Sequence, residues 1–278
     1  KNKRVYVAGH NGMVGSAVQR KLESEGFTNL IIKSRSELDL TRQRETGDFF
    51  ELEKPQVVII AAAKVGGIQA NNSQKAQFLY DNLMIESNII NSAINTGVEK
   101  LIFLGSSCIY PKFSQQPIKE EYILSDKLEP TNEAYSIAKI TGIKLCEYAY
   151  EKGGVDFFSL MPANLYGIND YFTLENSHVI PALMYKMHVA KQNNDPFVPI
   201  WGSGAPTREF LFVDDLADAI HFSLMNIEAK DVYSCGISHL NVGTGIEVSI
   251  SELAYTIKEV VGFNGELKFD SSKPDGMP

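Results

Sequence analysis

Tyr135 and Lys139 stand four residues apart in Tyr135-Ser136-Ile137-Ala138-Lys139, which places them on one face of a helix. A phenol ionises near pH ~10 in water. An ammonium beside it favours the phenolate, so the pair can give and take a proton near neutrality. Such pairs also arise by chance on helices. This one follows the sequence Gly105-Ser106-Ser107-Cys108, where a hydroxyl at a strand tip can hydrogen-bond a substrate carbonyl beside the phenol. A third constellation is Gly9-His10-Asn11-Gly12-Met13-Val14-Gly15, with glycines three apart between an apolar run and a helical pattern. Gly9 permits a tight turn, Gly12 lets backbone approach a pyrophosphate, and Gly15 lets the helix pack closely on a strand. The helix N-terminus adds N–H groups and a partial positive charge. Glycines cluster in plain loops too; the first strand-to-helix crossing is the context that points to a dinucleotide. Past the second apolar run stands Lys33-Ser34-Arg35, with no acid until Glu37. An acid there would bind the ribose of NAD, whereas basic residues suit the extra phosphate of NADP. The plain alternative is a solvated charge pair.

These groups meet only if a scaffold brings a glycine turn, a strand tip and a helix face to one edge. Apolar runs at 5–8, 30–32, 57–61, 101–104 and 157–161 read as short buried strands, and 14–25, 76–96 and 134–151 as helices. Gly97 closes the second of those helices and Gly153-Gly154 the third. Short buried strands alternating with helices predict an α/β fold, a doubly wound parallel sheet covered on both faces. In such sheets ligands sit at the carboxyl ends of the strands, where all three constellations fall. After Pro162 the texture changes: Pro181, Pro196, Pro199 and Pro206 punctuate shorter elements at 198–201, 214–225, 239–242, 249–261 and 266–269. This predicts a smaller C-terminal α/β region over 166–278, with the chain returning to the first region, 1–165, around 210–240.

Composition bounds the rest. The 278 residues carry 26 Lys and Arg against 34 Asp and Glu, a formal net charge of −8, which argues against a general nucleic-acid binder. Apolar residues at 44% and charged residues at 22% are those of an ordinary globular chain. Cys108, Cys146 and Cys235 are too few and too scattered for a disulfide framework or a zinc site, and no metal is expected. No run approaches the roughly 18 apolar residues of a membrane span, so a soluble, cytoplasmic protein is expected, with no membrane or nucleic-acid partner. The chain opens on Lys1 rather than Met, and Lys273-Pro274-Asp275-Gly276 reads as a turn rather than a domain end, so trimming at both ends is expected.

Glycine turn, strand-tip serine and YxxxK, in this order, resemble the extended short-chain dehydrogenase/reductase family, whose cofactor domain is a Rossmann fold. Within it the resemblance to the GDP-L-fucose synthases is closer. It is carried by residues 9–16, by Ala61-Ala62-Ala63-Lys64-Val65-Gly66-Gly67-Ile68, by Gly105-Ser106-Ser107-Cys108-Ile109-Tyr110-Pro111, by Asn176-Ser177-His178-Val179-Ile180-Pro181 and by Lys273-Pro274-Asp275-Gly276. The resemblance implies 3,5-epimerisation and 4-reduction of a GDP-4-keto-6-deoxy sugar with NADP(H). It implies that Cys108 and His178 remove and return the protons, both types titrating close enough to neutrality. It implies that Ser106 and Tyr135 hold the carbonyl and that Lys139 contacts the nicotinamide ribose. The NADP(H) set is Gly9, Asn11, Gly12, Met13, Val14, Gly15, Arg35, Ala62, Lys139, Asn164, Leu165 and His178. For the GDP-sugar substrate it offers Lys186, Trp201, Arg208 and Asp275, with Lys186 and Arg208 on the diphosphate. Core packing is the plain alternative for Trp201, and a solvated helix face for Lys186. Asp214 and Asp215 read as helix-capping acids and Cys146 as buried. A homodimer formed through the helices at 76–96 and 134–151 is implied. Some relatives carry arginine where this chain has Asn11, so Arg35 must hold more of the NADP phosphate. Two alternatives stay open: a UDP-sugar epimerase retaining NAD, against which Cys108 and His178 count, and a cofactor-sensing module without turnover, against which the Tyr/Lys pair counts.

Overall fold

The computed structural model describes residues 1–66, 73–172 and 177–273. Its main sheet contains strands β1 (Val5–Ala8), β2 (Leu30–Ile31), β3 (Val57–Ile60), β4 (Lys100–Leu104), β5 (Asp156–Pro162) and β9 (Leu240–Val242). They run in the order β2-β1-β3-β4-β5-β9, every pairing parallel. Parallel neighbours require crossovers, and the helices supply them: α1 (Met13–Ser24), α2 (Gln43–Glu53), α3 (Lys75–Asn95) and α4 (Glu133–Gly153).

Period-two alternation divides the strands between two cores. Val5, Val7, Val57 and Ile59 face α1 and α6 (Val213–Asn226), meeting Ala17, Val18, Leu22, Leu216 and Ile220. Tyr6, Ala8, Val58, Ile60 and Phe103 face the other helices, meeting Phe49, Phe50, Ile89, Ile90, Ile140 and Ile143. Burying a side chain such as Phe103 is worth about 1.5–3 kcal/mol, and both faces are filled with such residues. The chain reverses its winding between β1 and β3, so a crevice opens at their carboxyl ends.

The smaller region has β6 (Asn164–Tyr166), β8 (Thr207–Phe212) and β10 (Glu247–Ser249) in one sheet, and β7 (Phe197–Trp201) paired with β11 (Glu266–Asp270) in another. Helices α5 (Val179–Asn193) and α8 (Ile250–Val261) pack over them, with Leu183, Met187, Val198, Ile200, Ala254 and Ile257 forming a third core. Between β8 and β9 the chain returns to the main sheet: α6 lies on α1, and the short α7 (Ala229–Tyr233) lies on β5.

Three helices have no counterpart in the sequence reading: α2, α5 and the five-residue α7. In α2 only Thr46, Phe49 and Phe50 are buried, and Gly47 and a run of acids hide the period. In α5 Pro181 reads as a breaker, yet it falls in the first turn, where proline sacrifices no helix bond. Among the described residues no helix is long and apolar enough to cross a membrane.

Candidate active site

The tip of β4 delivers the first two reactive groups. Gly105 N–H extends the ladder to Leu160 O at 2.9 Å, and Ser106, in extended conformation, caps a single 3-10 turn at Ser107–Ile109 that carries Cys108. Ile109 and Tyr110 are buried and anchor this turn from below. Tyr110 also locks it to β9. Asn241 Nδ2 donates to Ile118 O at 3.2 Å, which fixes the amide and leaves Oδ1 to accept from the Tyr110 hydroxyl at 2.5 Å. That hydroxyl has spent its hydrogen, so at 2.6 Å it accepts from His239 Nε2–H, and His239 Nδ1 accepts from Ser238 at 3.0 Å.

Helix α4 supplies the other two. Its first turns run beside the Cys108 turn, where the Ser136 hydroxyl lies 2.8 Å from Cys108 O. Tyr135 is half-buried, and the Lys139 ammonium lies 5.7 Å from its ring centroid. Lys139 is only 2% exposed. Its ammonium donates to Leu104 O at 3.0 Å, stands 4.7 Å over the Phe103 ring, and pairs with Glu86 Oε1 at 2.9 Å. Ser106, Cys108, Tyr135 and Lys139 therefore form one cluster at the carboxyl edge of the sheet.

The protonation of this cluster corrects the sequence reading. The expectation was a phenol pulled down by its lysine and a thiol near neutrality. Burial instead pushes Tyr135 well above the ordinary phenol value, and the neighbouring Cys108 and Glu86 push the same way. Burial also raises the Cys108 thiol, although hydrogen bonds with Ser106 and Ser136 and the Lys139 charge partly oppose it. Taking charge out of water outweighs the helpful neighbours.

At the glycine turn, Gly9 has φ +87°, and a Cβ there would lie 2.7 Å from Ala62 backbone. A Cβ on Gly15 would lie 2.1 Å from Gly9 O, so α1 abuts the turn as only glycine allows. Gly12 is the N-cap of α1, with no side-chain cap hydrogen bond and no acid in the first turn, leaving the N-terminus available to an anion. Met13 and Val14 open the helix, and exposed Asn11 precedes it. Asn164 is exposed, donating to Glu209 O at 3.0 Å, while Leu165 packs on the first core. Past β2, Arg35 is exposed, Lys33 pairs with Glu53 at 3.7 Å, and Glu37 accepts from Ser34 N–H and Oγ. The backbone cradle fits a pyrophosphate, and exposed Arg35 fits an added phosphate.

His178 is exposed at the N-cap of α5, and burial raises the carboxyl of nearby Asp170. In the smaller region the Lys186 ammonium stands 5.4 Å from the Trp201 ring, and Lys273 approaches the same ring at 5.9 Å. Trp201 is 61% exposed, which excludes a core role. Arg208 is partly buried, donating to Thr207 O at 2.6 Å, and burial lowers both its pKa and that of Lys186. Asp275, Asn176 and residues 67–68 of the quoted motifs lie outside the described residues. Asp214 and Asp215 stand in the first turn of α6 after Phe212, which is the cap; Asp214 pairs with Arg20 at 2.6 Å.

The model of the NAD dependent epimerase/dehydratase family matches residues 5–243. The chain belongs to that family. It is 57% identical over 278 residues to GDP-L-fucose synthase 1 of Arabidopsis thaliana, covering all of this chain and 84% of that protein. It is 54% identical to GDP-L-fucose synthase of Escherichia coli K12, covering 99% of this chain and 86% of that one. A solved structure of a GDP-L-fucose synthetase from Naegleria fowleri bound to NADP superposes with a TM-score of 0.87 at 30% identity, covering 98% of this chain and 82% of that one.

Two features of this family member escaped the sequence reading. One is the Tyr110–His239–Asn241 clamp, which joins residues more than a hundred positions apart and leaves no local signal. The other is Glu86. Its signal is a charged residue on the apolar stripe of α3, in step with Phe78, Asn82, Ile89 and Ala93.

Proposed function

We propose that this chain inverts C3 and C5 of GDP-4-keto-6-deoxy-D-mannose and then reduces C4, giving GDP-L-fucose. The carrying observation is the single cluster that sets Ser106 and Cys108 at the tip of β4 beside Tyr135 and Lys139, with the Ser136 hydroxyl 2.8 Å from Cys108 O. Cys108 and the carbonyl-holding groups thus share one edge of the sheet, and His178 caps α5. The ketone acidifies the hydrogens on both neighbouring carbons. Ser106 and Tyr135 hydrogen-bond the C4 oxygen and stabilise the enolate charge that develops there. Cys108 and His178 remove and return the protons on opposite faces of the sugar. NADPH, when bound, supplies the hydride for C4. Tyr135 then gives its proton to the same oxygen, and its raised pKa keeps that proton available.

Residues 1–165, with the returning segment, hold NADP(H) through Gly9, Asn11, Gly12, Met13, Val14, Gly15, Ala62, Asn164 and Leu165. Arg35 meets the added phosphate, and Lys139 and His178 line the nicotinamide end. The smaller region binds the GDP portion through Lys186, Trp201, Arg208 and Asp275. Two copies pair through α3 and α4, a reading supported by exposed Tyr80, Ile94, Ile137 and Tyr148 on those helices. Three free thiols suit the reducing cytoplasm.

The Cys108→Ser variant tests the division of labour. It should consume NADPH slowly with the unepimerised ketone while solvent hydrogen ceases to enter C3 and C5. Normal exchange at those carbons would remove Cys108 from the mechanism. No NADPH consumption by the unaltered chain would remove the substrate.

A further inference from the structure

The turn that carries Cys108 hangs between two anchors. It is a single 3-10 turn, Ser107–Ile109. Upstream the sheet holds it: Gly105 N–H bonds Leu160 O at 2.9 Å, which fixes Ser106 at the strand end. Within the turn Ile109 N–H reaches Ser106 O at 3.1 Å, and Tyr110 N–H reaches Ser107 O at 3.3 Å. Downstream the anchor is the Tyr110 hydroxyl, which donates to Asn241 Oδ1 at 2.5 Å and accepts from His239 Nε2 at 2.6 Å. Tyr110 is 3% exposed and His239 fully buried, so both act through the turn and not on a ligand. Asn241 holds a second segment as well. Its backbone N–H donates to Glu120 Oε1 at 3.0 Å, and its Nδ2 donates to Ile118 O at 3.2 Å. Both acceptors lie in the stretch between the Cys108 turn and α4, the helix of Tyr135. One asparagine on β9 therefore ties down the Cys108 turn and the connection that leads from it to Tyr135.

The two anchors serve different reactive groups. Without the Tyr110 hydroxyl, Ser106 keeps its place on the ladder, whereas Cys108 loses its downstream support. A buried imidazole N–H and a carboxamide oxygen are then left unpaired, which drives the turn to shift. The Ser136 hydroxyl at Cys108 O, 2.8 Å away, still ties the turn to α4, so the turn is loosened and not lost. Proton transfer from carbon depends on placement, and a displacement of about 1 Å can cost about 100-fold. We propose that Tyr110 is a positioning residue for the epimerisation: its bond to Asn241 places the Cys108 thiol and so sets how completely the keto sugar is epimerised before it is reduced. This rests on the reaction proposed above, in which Cys108 moves protons while Ser106 and Tyr135 hold the carbonyl.

Tyr110→Phe removes the hydroxyl alone. Given GDP-4-keto-6-deoxy-D-mannose and NADPH in deuterated water, this variant should admit deuterium to C3 and C5 at least about 10-fold more slowly than the original. Reduction of the ketone should stay within about threefold and the KM for the GDP-sugar within about twofold, because no substrate contact is removed. The reduced product should therefore shift toward the unepimerised sugar. A general loss of structure would lower exchange and reduction together, so their falling in step overturns the proposal, as does an unchanged product. Asn241→Ala cuts the same bond from the other side; it should shift the product the same way, and it carries the test if Tyr110→Phe does not fold. A second measurement needs no turnover. In a Cys235→Ser background, iodoacetamide should alkylate Cys108 severalfold faster in Tyr110→Phe than with Tyr110 intact, because the turn opens more often. An equal rate overturns the proposal. If the unaltered chain converts no GDP-keto sugar, the assigned reaction fails while the alkylation still decides whether Tyr110 holds Cys108 in place.

Discussion

At the scale of single residues, burial governs how the reactive groups carry their protons. Tyr135, Lys139 and Ser106 were legible as types and spacings, because YxxxK on a helix and a serine at a strand tip are local patterns, whereas Cys108 was singled out only through the family resemblance. Their protonation was not legible, since it depends on Glu86 and on desolvation, which only the packed fold supplies. Cys108 offers a direct check. Burial raises its pKa, so its thiolate is scarce at neutrality, whereas exposed Cys235 is accessible to reagent. In a Cys235→Ser background, alkylation of Cys108 by iodoacetamide at pH ~7 should be at least ~10-fold slower than that of a free thiol. Its rate should still climb above pH ~9. A rate that levels off near neutrality would mean that the helpful hydrogen bonds outweigh burial.

At the scale of elements, the site depends on how the tip of β4 is held. The clamp through Tyr110, His239 and Asn241 ties that tip to β9, with His239 donating from Nε2. Burial depresses His239 from 6.5 to about 4. Above pH 6.5 neither folded nor unfolded chain protonates it, and its contribution to stability is complete. As pH falls toward 4 the unfolded chain takes up a proton that the folded chain refuses, so stability is lost. That loss amounts to about 3 kcal/mol, one pKa unit being worth about 1.4 kcal/mol. Denaturant unfolding at the two ends of this range should therefore show the original protein losing about 3 kcal/mol more than His239→Gln. Equal losses would show that the clamp tolerates an imidazolium. The five strands β1 to β5 and the helices α1, α3 and α4 were readable because apolar runs and 3.6-residue stripes alternate there. Helix α2 was not, with Phe49 and Phe50 its only buried apolar residues, nor α5, where Pro181 at the first turn looked like a stop.

At the scale of the whole molecule, the sheet order β2-β1-β3-β4-β5-β9 sets the glycine turn, the end of β3 and the tip of β4 along one edge. The smaller region brings Trp201, Lys186 and Arg208 on its own strands and helix. The place of α6, α7 and β9 on the main sheet rests on anchors that lie far away in sequence: Asp156 to Ala229 N at 2.6 Å, and Lys100 to Ile227 O at 2.5 Å. The central claim is that one edge performs two proton exchanges and one hydride reduction on one sugar. Its most direct test is turnover of GDP-4-keto-6-deoxy-D-mannose with NADPH in deuterated water, followed by mass and NMR analysis of the sugar. The account predicts GDP-L-fucose with deuterium at C3 and C5 and protium at C4; a reduced sugar that keeps the D-manno configuration without deuterium at those carbons would contradict it.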